Sequence, residues 1–138
     1  MARTLLLLLL VLIAKGKATR YDPGVMLEVV ANRVAWGQLD PARRGYRGFV
    51  AVADCEYVGE TVWLQLPDGE FVGPYLVADC GRACDQERLA RIHFAVDLSW
   101  RVALHLGVVD RPMDNVKVYM ATEGQTVTPR LQSGPVQR

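Results

Sequence analysis

Thr61-Val62-Trp63-Leu64-Gln65-Leu66-Pro67-Asp68-Gly69-Glu70-Phe71-Val72-Gly73-Pro74-Tyr75-Leu76-Val77-Ala78-Asp79 is the stretch on which the fold turns. Residues 61–66 alternate, which is the period of a half-buried strand. Pro67-Asp68-Gly69 supplies turn residues and the chain returns through residues 70–72, so the segment reads as a β-hairpin. Gly73-Pro74 interrupts the return, and the apolar residues 75–78 follow as a further strand ending at Asp79.

Upstream, residues 18–21 read as a short first strand ended by the turn former Asp22-Pro23-Gly24. Residues 25–34 fit either element: Met26-Leu27-Glu28 favours helix and Val29-Val30 favours strand. Residues 36–48, with Asp40-Pro41, Gly45 and Gly48, read as a long exposed loop, and residues 49–53 as a strand. Downstream, residues 80–91 are polar, a loop or a helical turn. Residues 98–106 read as helix: Leu98, Val102 and Leu106 share one face, Asp97 or Ser99 caps the start and Gly107 ends it. Residues 116–120 form the last strand. From Ala121 the chain is rich in Thr, Gln, Gly and Pro and reads as a disordered tail to residue 138. There are no internal repeats. Many short strands with one late helix place the chain in the mainly β class, as a small closed barrel with one or two short helices.

The chain has 138 residues, a formal charge of +1 and 51% hydrophobic residues, a length that suits one domain. Much of the hydrophobicity lies in residues 5–14, an unbroken apolar run after Arg3 and ahead of Lys15-Gly16-Lys17-Ala18. A positive residue, ten apolar residues and small residues at 16 and 18 read as a secretory signal peptide over residues 1–18. Ten residues rise about 15 Å as a helix, roughly half a bilayer core, so a spanning helix is not expected. The competing readings are an uncleaved anchor or an N-terminal helix packed on the domain. With the leader gone, 13 basic side chains face 15 acidic ones, a charge of −2, with eighteen valines against the single Ile92. Valine suits a pleated, half-buried surface. The acidic balance argues against a nucleic-acid partner held by phosphate neutralisation. The expected location is extracytoplasmic, as a monomer with no stable membrane anchor.

Asp79, after an apolar strand, and Asp97, ahead of the helix, are the candidate chemical groups. A half-buried carboxyl acquires the raised pKa of a general acid, and a second carboxylate nearby completes the pair used on glycosidic bonds. The plainer roles are an N-cap for Asp97 and a loop-holding one for Asp79. Cys55, Cys80 and Cys84 in an oxidising compartment give one disulfide and one thiol, with Cys55 bonded to Cys80 or to Cys84. Zinc held by the three cysteines and His93 is the sharper alternative, but Cys55 lacks a paired motif, so no metal and no cofactor is expected. Neither histidine sits in a recognisable nucleophile motif, and His105 reads as an ordinary helix residue. Trp36, Arg43, Arg44, Tyr46 and Arg47 read as a sugar-stacking or phosphate-touching loop, or as residues packed on the domain.

Together these residues resemble the double-psi β-barrel superfamily, and within it the rare lipoprotein A-like domains of bacterial envelopes. Ala18-Thr19-Arg20-Tyr21 is similar to the family's opening Ala-x-x-Tyr, and Gly59-Glu60-Thr61-Val62 to its Gly-Thr-x-Val with one residue inserted. Val77-Ala78-Asp79-Cys80-Gly81 resembles the strand ending in Asp-x-Gly. Asp97-Leu98-Ser99, Leu106-Gly107 and Val116-Lys117-Val118 resemble the closing helix and strand. His93-Phe94, with Ala95-Val96 inserted before Asp97, is similar to the His-Phe-Asp-Leu-Ser of expansins. The likeness covers residues 18–119. It implies a six-stranded double-psi barrel over residues 19–120 with a groove for cell-wall polysaccharide of the peptidoglycan kind. It also implies functional roles for Asp79 and Asp97 and a third carboxylate at Asp22 by similarity to related endoglucanases. The substrate contacts expected of this chain are Tyr21, Trp36, Tyr46 and His93. The chain departs from lytic members in two places. Ala53-Asp54-Cys55 stands where they carry a histidine, and Cys80-Gly81-Arg82 replaces their Arg-Gly-Pro. Three readings therefore stand side by side: a lytic or hydrolytic enzyme, a glycan-binding module, and a secreted structural or protein-interaction barrel.

Overall fold

The structure is a computed structural model that describes residues 5–43 and 45–127. Six strands close into a barrel in the order β1-β5-β2-β4-β3-β6. They are β1 (Leu5–Arg20), β2 (Phe49–Val52), β3 (Thr61–Gln65), β4 (Phe71–Cys80), β5 (Phe94–Leu98) and β6 (Met113–Val127). The barrel is mixed: β1 runs parallel to β5 and β2 parallel to β4, while the other neighbours are antiparallel. Three short helices pack around it, α1 (Val25–Ala35), α2 (Gln86–Arg91) and α3 (Trp100–Leu106).

Strand alternation explains two cores. Val50, Val52, Val62, Leu64, Tyr75, Val77, Leu98, Val116 and Val118 fill the barrel interior. Ala51, Leu76 and Ala78 point outward and are covered by Met26 of α1 and by Leu39. The run 75–78 is thus apolar because both of its faces are buried. Residues 25–34, ambiguous by pattern, are helix α1. Met26, Val29 and Val30 fall on one helical face against β2 and β4, and Gly24, at φ 81°, makes the left-handed turn that starts it.

Several element bounds differ from the sequence reading, each for a tertiary reason. Residues 71–80 are one strand rather than two, because β4 runs through the cis Gly73-Pro74 bond with β3 paired to it on both sides of that point. Leu98 ends strand β5 and the helix begins at Trp100. Ser99 is its cap, accepting a bond from the Val102 N–H at 3.4 Å, and Gly107 ends it at φ 74°. Asp97 is therefore a strand residue and caps nothing. Residues 80–91 hold a 3-10 turn, Ala83–Asp85, and helix α2. β6 continues to Val127, past the expected end at residue 120, because its backbone pairs with β1 as far as Leu5. Residues 128–138 of the expected tail lie outside the described residues.

Residues 5–18, read as a leader, lie in β1. Leu9, Leu10, Val11 and Leu12 remain exposed, whereas Ile13 and Ala14 pack on the core and Ala18 is buried. The Lys17 N–H donates to the His93 carbonyl at 2.7 Å, and a Cβ on Gly16 would collide with that same oxygen. Cleavage after Ala18 would take these barrel positions away. Among the described residues no helix is long and apolar enough to cross a membrane.

Two outcomes are expected. Leu98→Ala, which empties a fully buried position, should lower unfolding free energy by about 2–5 kcal/mol in urea titrations. A chain beginning at Ile13 should keep a cooperative unfolding transition, and one beginning at Thr19 should lose it.

Candidate functional site

On the outer face of β5, β2 and β4 the ladder registers set four residues in one row. Thr19 pairs with Asp97, Asp97 with Ala51, and Ala51 with Asp79. Directly paired residues point to the same side of a sheet, so both aspartates flank the small Ala51 side chain, two strand spacings or roughly 10 Å apart at Cα. Asp79 owes its place to a register shift. Val50 faces Val77, but Ala51 faces Asp79, so a bulge at Ala78 turns Asp79 away from the barrel interior that Val77 fills. Asp97, Ala51 and Asp79 of this row floor a groove of about 590 Å³ whose walls include Tyr21, Arg33 of α1, and Arg88 and Leu89 of α2.

The two carboxyls have different surroundings. Arg33 Nη2 donates to Asp79 Oδ1 at 2.7 Å, and the Tyr21 hydroxyl donates to Oδ2 at 2.6 Å. Burial, and then the bond to Asp79, push the Tyr21 phenol well above its ordinary pKa, so it stays a donor. Asp97 has no cationic clamp. Its Oδ1 is buried without a hydrogen-bond partner among the described residues. Burial raises its pKa to about 6, opposed by a hydrogen bond from Thr19 and reinforced by the nearby Asp79 charge. The hydroxyl of Thr19, which pairs across the ladder with Asp97, also lies 3.5 Å from the Val96 carbonyl oxygen, the far limit of a hydrogen bond.

Part of the groove wall is pinned covalently. Cys55 and Cys80 form a disulfide and Cys84 is an exposed thiol. The bond anchors the residue next to Asp79, and Gln86 Nε2 ties α2 to the Ala53 carbonyl at 2.8 Å. The disulfide also removes two of the donors a zinc site with His93 would need. Among the described residues no cluster of three or more His, Cys, Asp or Glu is arranged to hold a metal.

Of the residues singled out in the sequence, Tyr21, Asp79 and Asp97 meet in the groove, with Cys55 and Cys80 in its wall. Asp22 lies outside it, its side chain 80% exposed and paired with Arg20 at 2.8 Å. Trp36 is 68% exposed beyond the end of α1. His93 is exposed at φ 54° and contributes its backbone carbonyl to β1. Tyr46 stacks on Phe49, ring centroids 5.0 Å apart, in a different cavity. The side chains of Arg43 and Arg44 lie outside the described residues. Arg33 was missed by the sequence reading. It follows Met26, Val29 and Val30 at helical spacing, and that phase puts it on the packed face, one turn beyond the last apolar residue.

No family model matches this chain, and neither does any curated protein or solved structure.

The Asp97 environment has a thermodynamic signature. The folded chain holds this proton more tightly than the unfolded chain, whose aspartates titrate near pH 4, so stability falls as pH rises from about 4 through about 6. The loss amounts to up to about 3 kcal/mol. In denaturant titrations at pH 4 and pH 8, Asp97→Asn should lack this loss and be more stable than the parent at pH 8 only.

Proposed function

We propose that this chain is an exported, polysaccharide-directed barrel of the rare lipoprotein A-like double-psi type, and that Asp97 is the general acid of its groove. The observation that carries the reading is the contrast between the two carboxyls. One is half-buried, unclamped and raised to about 6, while the other is held by a guanidinium and a phenol at the far end of the same short row. A glycan chain laid along the groove would bring a glycosidic oxygen to Asp97. Asp97 donates its proton as the C–O bond breaks. Water, or a hydroxyl of the substrate itself, attacks the anomeric carbon, and its proton returns to the Asp97 carboxylate. Asp79, with both oxygens occupied, is not free to act as a second base. Its role is to hold Tyr21 and Arg33 where they contact the sugar. The disulfide suits an oxidising, extracytoplasmic compartment.

The occupied state of Asp79 also favours a second reading, binding without cleavage, since hydrolysis by a carboxylate pair asks for a free base or nucleophile. The two separate on one experiment. Purified chain is incubated with insoluble peptidoglycan and with β-glucan, and both soluble fragments and bound protein are measured. Cleavage predicts fragments that fall by at least a hundredfold in Asp97→Asn and Asp79→Asn. The rate should also decline as pH rises above about 6, where the acid loses its proton. Binding alone predicts retention on the polymer with no fragments. Full activity in both variants would overturn the assignment of the acid, and absence of any glycan binding would leave the structural or protein-interaction barrel.

A further inference from the structure

Around the barrel from the Asp97 groove, two further cavities meet at a pair of arginines. The first, about 580 Å³, is walled by Trp63 of β3, Phe71 and Tyr75 of β4, and His105 of α3. The second, about 520 Å³, is walled by Leu27 of α1, Tyr46, Phe49 and Trp100. Arg47 and Arg101 line both, and neither cavity shares a described residue with the Asp97 groove. Both arginines stand on fixed backbone. The Arg47 N–H donates to the Pro74 carbonyl at 2.8 Å, and Arg101 lies in the first turn of α3 behind the Ser99 cap.

Both side chains are exposed, and among the described residues neither guanidinium has a carboxylate within ion-pair distance. Glu70 is the carboxylate on the rim, against two guanidiniums and His105. The planar fork of a guanidinium matches a carboxylate in two parallel hydrogen bonds, and two of them flanking one anion relieve their mutual repulsion. Apolar faces adjoin them on both sides. Phe71 is 44% exposed. Trp100 carries Arg20 on one ring face, at 4.9 Å from the centroid, and itself lines the second cavity. Aromatic residues line each cavity and the two arginines line both, which complements a chain of rigid rings bearing carboxylates. An acidic peptide would satisfy the arginines but leave the aromatic walls without ring partners.

We propose that Arg47 and Arg101, with the aromatic walls on either side, form a second carbohydrate site that binds uronate-bearing oligosaccharides and is separate from the Asp97 groove. The site would hold an acidic glycan without cutting it, so it needs no proton donor.

The test uses the full chain with tetragalacturonate, neutral cellotetraose and a tetraglutamate peptide as probes, followed by calorimetry and by amide NMR shifts. Tetragalacturonate should bind at least tenfold more tightly than either of the others, more weakly as salt rises, with shifts at Arg47, Trp100 and Arg101 rather than at Asp79 and Asp97. Arg47→Gln and Arg101→Gln should each weaken it about tenfold, and Asp97→Asn should leave it unchanged. Phe71→Ala, at an exposed position with little effect on folding, should weaken tetragalacturonate and spare tetraglutamate. Equal binding of tetraglutamate, indifference to both arginine variants, or shifts confined to the Asp97 groove would each overturn the proposal.

Discussion

The four-residue strand β2 is the constraint on which the site rests. It is hydrogen-bonded to β5 on one side and to β4 on the other, so the spacing of the two aspartates is fixed by two ladders. Its alternation does two jobs at once. Val50 and Val52 fill the barrel, and Ala51 turns outward between Asp79 and Asp97. A larger side chain at 51 would fill the floor of the groove and bring apolar bulk against both carboxyls. The bulge beside it completes the arrangement, because an unbroken β4 would have sent Asp79 toward the interior.

Burial then sets the chemistry of each carboxyl. Asp79 is compensated by Arg33 and Tyr21, which makes it a structural anion that organises the groove. Asp97 is half-buried without such compensation, and the fold answers by holding it protonated to about pH 6. Above about pH 6 the ionised carboxylate, half-buried with one oxygen unpartnered among the described residues, lowers stability, a cost that core packing elsewhere offsets. Perturbed carboxyls of this kind cluster at functional sites.

Much of the fold was legible locally. The hairpin around Asp68-Gly69, the Gly24 turn, and the Ser99 and Gly107 caps of α3 are all specified by residues a few positions apart. What was illegible depended on partners distant in sequence. Residues 25–34 became a helix because β2 and β4 offered an apolar face to cover. Asp97 left the helix start for strand β5 because that strand had β1 and β2 on either side. Residues 121–127 joined β6 because β1 runs beside them, although their composition reads as unstructured. Arg33 entered the site on the phase of α1, which could be read only once α1 was known to be a helix.

The sequence by itself determined a mainly β chain of short strands, two aspartates at the ends of apolar segments, and three cysteines of which two would pair. Those are properties of periodicity and residue chemistry. Only the tertiary structure decided which cysteines pair, that Asp79 and Asp97 share one face while Asp22 does not, and which carboxyl is clamped and which is not. The physical reason is that a strand shows its own period but not its neighbours. Register, bulges and burial, which fix distance and pKa, arise only when β1, β5, β2 and β4 close side by side.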